Sequence, residues 1–158
     1  MESIDWRLRL GLERHPEGGF FKRIHTHPLE VPTEYGPRAA ASSIHYLLNR
    51  EQPISRFHRV RPTILHFLQS GGPVIYALLN SEGWMQEVTL GFGEGQQIAL
   101  EVHGGIWKAS RLPDGVDHAL VSEVVVPGFD WADHEYMRSS KLAPGVGEDL
   151  RRRGWTVA

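Results

Sequence analysis

Short apolar segments alternate with glycine- and proline-rich turns along most of the chain. Segments rich in β-branched and aromatic residues are typical of strands, and they occupy residues 19–27, 40–49, 55–60, 63–69, 73–80, 84–91, 97–103, 106–112 and 118–126. The sequences between them, such as SGGP, NSEG, GFGEG and PDG, favour tight turns. About eight to ten short strands with frequent turns predict an all-β sandwich, jelly roll or barrel.

The two ends of the chain have a different pattern. Apolar residues among charges over residues 3–13, with Ser3 as the N-cap, predict one short helix. The sequence HPEGG at 15–19 ends that helix, and residues 29–38, with two prolines and a glycine, predict a loop. The polar tail predicts a short helical segment and an extended end. We therefore expect a single domain over residues 1–158, with a core of about 15–137 and an extension of about 138–158.

Composition narrows the class of protein. The chain has 158 residues, a formal charge of −2 and no cysteine. The negative charge and the scattered basic residues argue against nucleic-acid binding, and the lack of a long apolar run argues against a membrane span. Disulfides and thiolate metal sites are excluded, and the absence of cysteine is compatible with a cytoplasmic protein.

Histidine is the unusual residue, with nine copies. His58 and His66 lie eight residues apart in RFHRVRPTILHFLQ, at 56–69. Imidazoles can act as acids or bases near neutral pH, or bind metals. Because Arg61-Pro62 interrupts the run, we expect the two histidines on adjacent strands.

Several stretches, taken in order, resemble the small single-domain cupins of unassigned biochemical function, the fifth cupin family. They are HPEGGFFKR (15–23), SIHYLLN (43–49), PISRFHR (53–59), ILHFLQSGGPVIYALL (64–79), GGIWKAS (104–110) and SEVVVPGFDWADHEYM (122–137). The resemblance implies an RmlC-like jelly-roll barrel, the double-stranded β-helix of cupins, related in fold to sugar-nucleotide 3,5-epimerases. It also implies a homodimer. It implies no particular reaction, because this fold carries many functions.

The cupin metal site is largely replaced in this sequence. The resemblance implies ligands from a His-x-His motif followed by a glutamate, and from a later histidine. His58 matches the first position, but Val60 stands at the second histidine, Ile64 and Leu65 at the two possible glutamate positions, and Lys108 at the later histidine. A lysine ammonium repels a metal ion at neutral pH. We therefore expect no metal cofactor, and if one binds, His58 and His66 are the candidate ligands.

The same positions still mark a pocket for a small molecule. His58, Lys108 and Glu123 are the candidate catalytic residues, and Glu123 is notable because it lies in the apolar strand SEVVV, where burial raises a carboxyl pKa. Candidate ligand-binding residues are His66, His45, Tyr46, Trp107, Phe57 and Glu17, of which Glu17 either reaches the pocket or caps the turn. In VVPGFDWADHE, Asp130 is expected to cap a short segment and Asp133 or Glu135 to brace an arginine.

Three functions are compatible with these residues. The first is a metal-independent isomerase, epimerase or dehydratase, acting by acid–base chemistry on a carbohydrate-like or other anionic metabolite. The second is a non-catalytic cupin that binds or senses a small molecule. The third is a metal-dependent cupin enzyme. The sequence alone leaves open whether the protein is an enzyme.

Overall fold

Two antiparallel sheets face each other in the computed structural model, which describes residues 3–158. The six-stranded sheet has the order β1-β2-β5-β12-β7-β10, and its strands are β1 (Glu13–Arg14), β2 (Phe20–Thr26), β5 (Ser42–Asn49), β7 (Thr63–Gly71), β10 (Ala99–Val102) and β12 (His118–Val126). The five-stranded sheet has the order β13-β6-β11-β8-β9, and its strands are β6 (His58–Val60), β8 (Val74–Leu79), β9 (Met85–Leu90), β11 (Trp107–Arg111) and β13 (His134–Tyr136). The arrangement is a jelly roll, one of the three all-β architectures that the strand pattern predicts and the one that the resemblance to cupins implies.

Alternation along the strands builds the core between the two sheets. On β5, Tyr46 and Leu48 point inward, and on the opposite sheet Val74 and Tyr76 do the same. Each fully buried large apolar side chain stabilises the fold by roughly 1.5–3 kcal/mol. One end of this space is apolar, and the other end is lined by polar side chains.

The N-terminal helix is shorter than its pattern predicts. Helix α1 covers Trp6–Leu10, and its N-cap is Asp5, whose carboxylate accepts a hydrogen bond from the Leu8 amide. The prediction of Ser3 as the cap is therefore wrong, because a carboxylate nearer the helix satisfies the free amide. The predicted loop at 29–38 contains two short paired strands, β3 (Glu30–Val31) and β4 (Arg38–Ala39).

The C-terminal segment covers the outer face of the five-stranded sheet. After a 3₁₀ turn at Ser139–Lys141, helix α2 covers Val146–Arg152. This segment packs its apolar side chains, among them Leu150 and Trp155, against Phe57 and Trp107. The prediction that Phe57 and Trp107 line the pocket is therefore wrong. Each directly precedes an inward-facing residue, so alternation points it outward.

No helix among residues 3–158 combines the length and the apolar character needed to cross a membrane.

Candidate functional site

Polar residues from both sheets meet at one end of the space between them. In the six-stranded sheet, Glu123 on β12 is aligned with His66 on β7. In the five-stranded sheet, Lys108 on β11 is aligned with His58 on β6. Lys108 Nζ bridges the two sheets, lying 2.7 Å from His66 Nε2 and 3.4 Å from Glu123 Oε1. The expectation that His58 and His66 lie on adjacent strands is wrong: Arg61-Pro62 passes the chain from one sheet to the other.

The turn HPEGG brings Glu17 into the same space. Gly18 and Gly19 have φ of 102° and 78°, which glycine adopts without strain. The Tyr46 hydroxyl donates to the Gly18 carbonyl at 2.6 Å, and the Arg56 amide donates to the Glu17 carbonyl at 2.7 Å. The turn is thus held on both sides, and the Glu17 side chain is directed inward.

Three imidazoles surround the Glu17 carboxylate. Its Oε2 lies 3.1 Å from His58 Nε2, 3.8 Å from His15 Nδ1 and 3.9 Å from His134 Nε2. Burial by itself raises the pKa of Glu17, but His58, His15 and His134 together lower that pKa to about 2. Glu17 is therefore an ionised carboxylate that is almost wholly removed from water.

His58 has two hydrogen-bond acceptors and, when neutral, only one N–H. Its Nδ1 lies 2.9 Å from the Arg56 carbonyl oxygen, and its Nε2 faces Glu17 Oε2. Burial lowers the pKa of His58 to about 4, although Glu17 opposes this shift, so the ring is neutral at pH 7. An Nδ1–H that donates to Arg56 leaves the Nε2 lone pair facing a carboxylate. The His58–Glu17 pair can consequently take up one proton between these two atoms.

A second polar cluster of the site consists of Lys108, His66 and Glu123. His66 Nδ1 lies 3.2 Å from the Leu100 carbonyl oxygen and donates to it, which leaves Nε2 to accept from the Lys108 ammonium. Burial lowers the pKa of His66 well below its usual value, so this ring is neutral. Burial raises the pKa of Glu123, while Lys108 partly opposes the shift. The site therefore holds two carboxyl groups, Glu17 and Glu123, whose pKa values are shifted in opposite directions.

A narrow pocket opens onto these groups. Glu17, His58 and Glu123 contribute polar surface to it. The remaining lining residues are His15, Phe21, Arg23, Ile44, Val60, Ile64, Val125, Phe129, Trp131 and His134. A mostly apolar wall with a few convergent polar groups is typical of a site for a small organic molecule.

The other predicted site residues lie near the pocket or away from it. Lys108 and His66 are buried next to Glu123, and Tyr46 holds the HPEGG turn. His45, a predicted ligand-binding residue, does not line this pocket. His45 faces the outer side of the six-stranded sheet, where its Nδ1 lies 3.3 Å from Ser122 Oγ, because its neighbours Ile44 and Tyr46 face inward.

Sequence reasoning missed several lining residues. His15 and His134 are the main ones, and each belongs to a motif that the sequence analysis singled out, HPEGG and DWADHE. The acidic residues of the second motif have structural roles. Asp130 caps a 3₁₀ turn at Trp131–Asp133, and Asp133 accepts two hydrogen bonds from Arg38, at 2.7 and 2.8 Å.

The donor set does not fit the metal that many cupins hold. Lys108 places an ammonium group in this region, and the Nε2 lone pair of His66 is occupied by it. Within residues 3–158, no group of three or more His, Asp or Glu side chains is arranged so that it could hold a metal ion. We therefore derive no chemical step that uses a metal.

Comparisons with known proteins agree with this architecture. Residues 5–137 match the family described as Cupin superfamily (DUF985). The uncharacterized protein YML079W of Saccharomyces cerevisiae is 36% identical over 150 residues, which cover 85% of this chain and 72% of the yeast protein. The crystal structure of protein SO0799 from Shewanella oneidensis has a TM-score of 0.86 at 24% identity, covering 100% of this chain and 99% of that one.

A more distant structure shares only the fold. The dTDP sugar isomerase of Desulfovibrio desulfuricans has a TM-score of 0.55 at 15% identity, with 77% of this chain and 85% of that chain covered.

Proposed function

The chain belongs to the Cupin superfamily (DUF985), and on that premise we propose that it binds a small molecule and transforms it by metal-independent acid–base chemistry. The proposed reaction is of the isomerase, epimerase or dehydratase type, on a carbohydrate-like or other anionic metabolite. One observation carries the proposal: two carboxyl groups line one pocket, and their pKa values are shifted apart, that of Glu17 downward and that of Glu123 upward. Such a pair supplies a base and an acid at the same pH.

Glu17 is the proposed base. It is ionised, it lines the pocket, and a carboxylate in a water-poor site is a competent acceptor for a proton from carbon next to a carbonyl group. His58 stores the proton: it passes from Glu17 Oε2 to His58 Nε2 over 3.1 Å. The resulting imidazolium then donates to both the Arg56 carbonyl oxygen and Glu17.

Glu123 is the proposed acid. Burial favours its protonated form, which can donate a proton to the oxygen that becomes negative as the substrate carbon loses its own proton. Lys108 Nζ, 3.4 Å from Glu123 Oε1, restrains the carboxyl group and limits the rise of its pKa. Return of the stored proton through Glu17 to a neighbouring carbon completes an isomerisation. In an epimerisation, a water on the opposite face of the carbon supplies the new proton and the stored proton leaves to solvent. In a dehydration, Glu123 instead protonates the hydroxyl group on the neighbouring carbon, which leaves as water.

The fold by itself does not select this chemistry over simple binding. Its likeness to a dTDP sugar isomerase concerns architecture alone. A non-catalytic binding or sensing protein would use the same pocket without needing two carboxyl groups of opposite pKa shift. The pair of shifted carboxyl groups is therefore what favours the enzyme.

Solvent deuterium exchange tests the proposal. Purified protein is incubated in D₂O with a panel of sugar phosphates, aldonates and 2-oxo acids, and deuterium in each compound is followed by NMR. We expect exchange into at least one compound, its loss in Glu17→Gln, and its retention in Glu101→Gln, a change at an exposed glutamate. Binding without exchange would instead support the non-catalytic alternative. Elemental analysis is the companion measurement, and a stoichiometric metal would contradict the metal-independent mechanism.

We also propose that the protein is a homodimer, as the resemblance to small cupins implies. The outer face of the six-stranded sheet supports this, since Leu65 and Val124 are aligned there and Phe67 is 39% exposed. Sedimentation of the wild type against Phe67→Glu tests it. We expect the wild type to sediment as a dimer and the variant as a monomer, and a monomeric wild type would contradict the proposal.

A further inference from the structure

The pocket carries one cation at its exposed end. Arg23, on β2, lines the pocket and is aligned with Ile44 on β5. Its guanidinium lies 5.8 Å from the centre of the Phe129 ring, and Nη1 donates to Thr26 Oγ1 at 3.3 Å. Among residues 3–158 Arg23 forms no ion pair, whereas Lys108 is buried against His66 and Glu123. Arg23 is thus available to a ligand.

An aromatic wall adjoins that cation. Phe21, Phe129 and Trp131 all line the pocket, and the rings of Phe129 and Trp131 are in edge contact, with centroids 4.9 Å apart. Trp131 is 51% exposed, which is unusual for the largest apolar side chain. A flat ring inserted here would cover part of this exposed indole.

The inner end offers an unused polar atom. His134 lines the pocket, and its Nε2 is buried without a hydrogen-bond partner among the described residues. The nearby Glu17 oxygen, at 3.9 Å, is too distant to serve. Buried polar atoms normally have partners, so an unpartnered one that lines a pocket points to an atom supplied by a ligand.

We infer that the ligand is a ring-bearing organic anion bound in one fixed direction. Its carboxylate or phosphate contacts Arg23 at the mouth, its ring packs against Phe129 and Trp131, and a hydroxyl or carbonyl oxygen reaches His134. The ionised Glu17 repels an anionic group from the inner end, so the reverse orientation is disfavoured. This inference rests on the proposed function in taking the pocket as the substrate site, and it adds the substrate class and the residue that selects it.

Titrations with simple probes, followed by NMR of the full-length protein, test the inference. The probes are 4-hydroxybenzoate, its uncharged amide, phenyl phosphate and acetate. We expect 4-hydroxybenzoate to bind more tightly than both the amide and acetate. Arg23→Gln should raise the Kd of 4-hydroxybenzoate about tenfold, the equivalent of about 1.4 kcal/mol, and leave the Kd of the amide unchanged. The comparison with phenyl phosphate shows whether a carboxylate or a phosphate is the preferred anion.

Lys22→Gln is the matched control, because Lys22 precedes Arg23 on the same strand and faces the other side of the sheet. It should leave the Kd of every probe unchanged. Equal affinity for 4-hydroxybenzoate in wild type and Arg23→Gln, equal affinity for acid and amide, or no binding of any ring probe would overturn the inference.

The two proposals fail separately. If binding is independent of Arg23 while deuterium exchange still requires Glu17, only the ligand class is wrong. If binding depends on Arg23 but no compound exchanges, the ligand class stands and the acid–base chemistry is wrong.

Discussion

The Glu17 carboxylate and the His58 imidazole approach to 3.1 Å, although one residue lies in the turn before β2 and the other begins β6 in the opposite sheet. The contact joins a carboxylate to a ring nitrogen that is an acceptor when Nδ1 carries the proton. The affinity of this pair for protons is therefore the property most directly open to measurement.

Glu17→Gln should lower the pKa of His58 below its value of about 4. Burial is the main cause of the low value, and the charge of Glu17 opposes it, so removing that charge leaves burial less opposed. Histidine ¹⁵N chemical shifts recorded across a pH titration measure the change. Glu101→Gln, beside the exposed His103, is the control and should leave His58 unaffected. A rise in the His58 pKa in Glu17→Gln would contradict the assigned contact.

Acid should destabilise the fold between pH 6.5 and pH 4. The pKa of His58 falls from 6.5 to about 4 on folding, so in this range the unfolded chain binds the proton and the folded chain does not. The stabilisation is complete above pH 6.5 and is lost as pH falls toward 4, at no more than about 1.4 kcal/mol per pH unit for one group. His15 and His66 act in the same direction.

Glu123 changes the stability with pH in the opposite direction to the histidines. Its raised pKa means that the folded chain keeps a proton that the unfolded chain has released, so its contribution is present in acid and is lost as pH rises. We expect the stability lost through the three histidines on acidification to exceed the stability gained through Glu123. The net free energy of unfolding should therefore fall as the pH is lowered. Urea denaturation at several pH values measures it. His103→Gln, which changes an exposed ring, should leave the slope intact. A free energy of unfolding that does not change over this range would contradict the prediction.

Lys108→Met should destabilise the protein by about 1–3 kcal/mol, because it removes the buried donor that lies 2.7 Å from His66 Nε2 and 3.4 Å from Glu123 Oε1. It should also raise the pKa of Glu123 further, since Lys108 is the group that lowers it. The double variant Lys108→Met with Glu123→Gln also removes the carboxyl group that Lys108 contacts and should recover part of the loss. Thermal and urea unfolding of the three variants gives the coupling. Additive losses in the double variant would show that the pair is not coupled.

Gly19→Ala should cost more stability than an alanine at a comparable glycine. Its φ is 78°, and an added Cβ would lie 2.7 Å from Tyr46 Oη and 2.8 Å from the Leu47 carbonyl oxygen. Gly83→Ala is the matched control, because its φ of 86° imposes the same backbone strain but nothing lies within 4 Å of the new Cβ. We expect about 1 kcal/mol for Gly83→Ala from strain alone and clearly more for Gly19→Ala. Equal losses of stability in the two variants would show that the HPEGG turn moves to accept the new Cβ at no cost in free energy.

Polar residues inside apolar strands gave the best guide to the site. Glu123 and Lys108 interrupt strands whose neighbours are apolar, and both are buried in the polar cluster. Such residues lose hydration on folding and need partners, so they converge. That much follows from one sequence, and so does an all-β fold, because turns and strand lengths are local properties. The choice of a jelly roll came from the resemblance to cupins.

The inward face of some strands was not predictable from alternation. On β5, Leu47 is as buried as Tyr46 and Leu48, since Phe20 and Leu12 cover its outer side. When both faces of a strand are buried, apolar and polar residues no longer alternate, and the sequence does not show which side chains point into the core. His45 is a predicted ligand-binding residue, but it lies on the outer face of this strand. His15 and His134 reach the site only through a turn and a final strand, whose positions depend on distant contacts.

Leu150, Trp155 and Val157 lie beyond residue 137, where the family match ends, yet they cover Phe57, the residue next to His58. The backbone next to His58 is therefore braced by a segment outside residues 5–137. A chain cut after residue 137 would keep every residue that lines the pocket, yet we expect it to expose Phe57 and Trp107 and to lose stability.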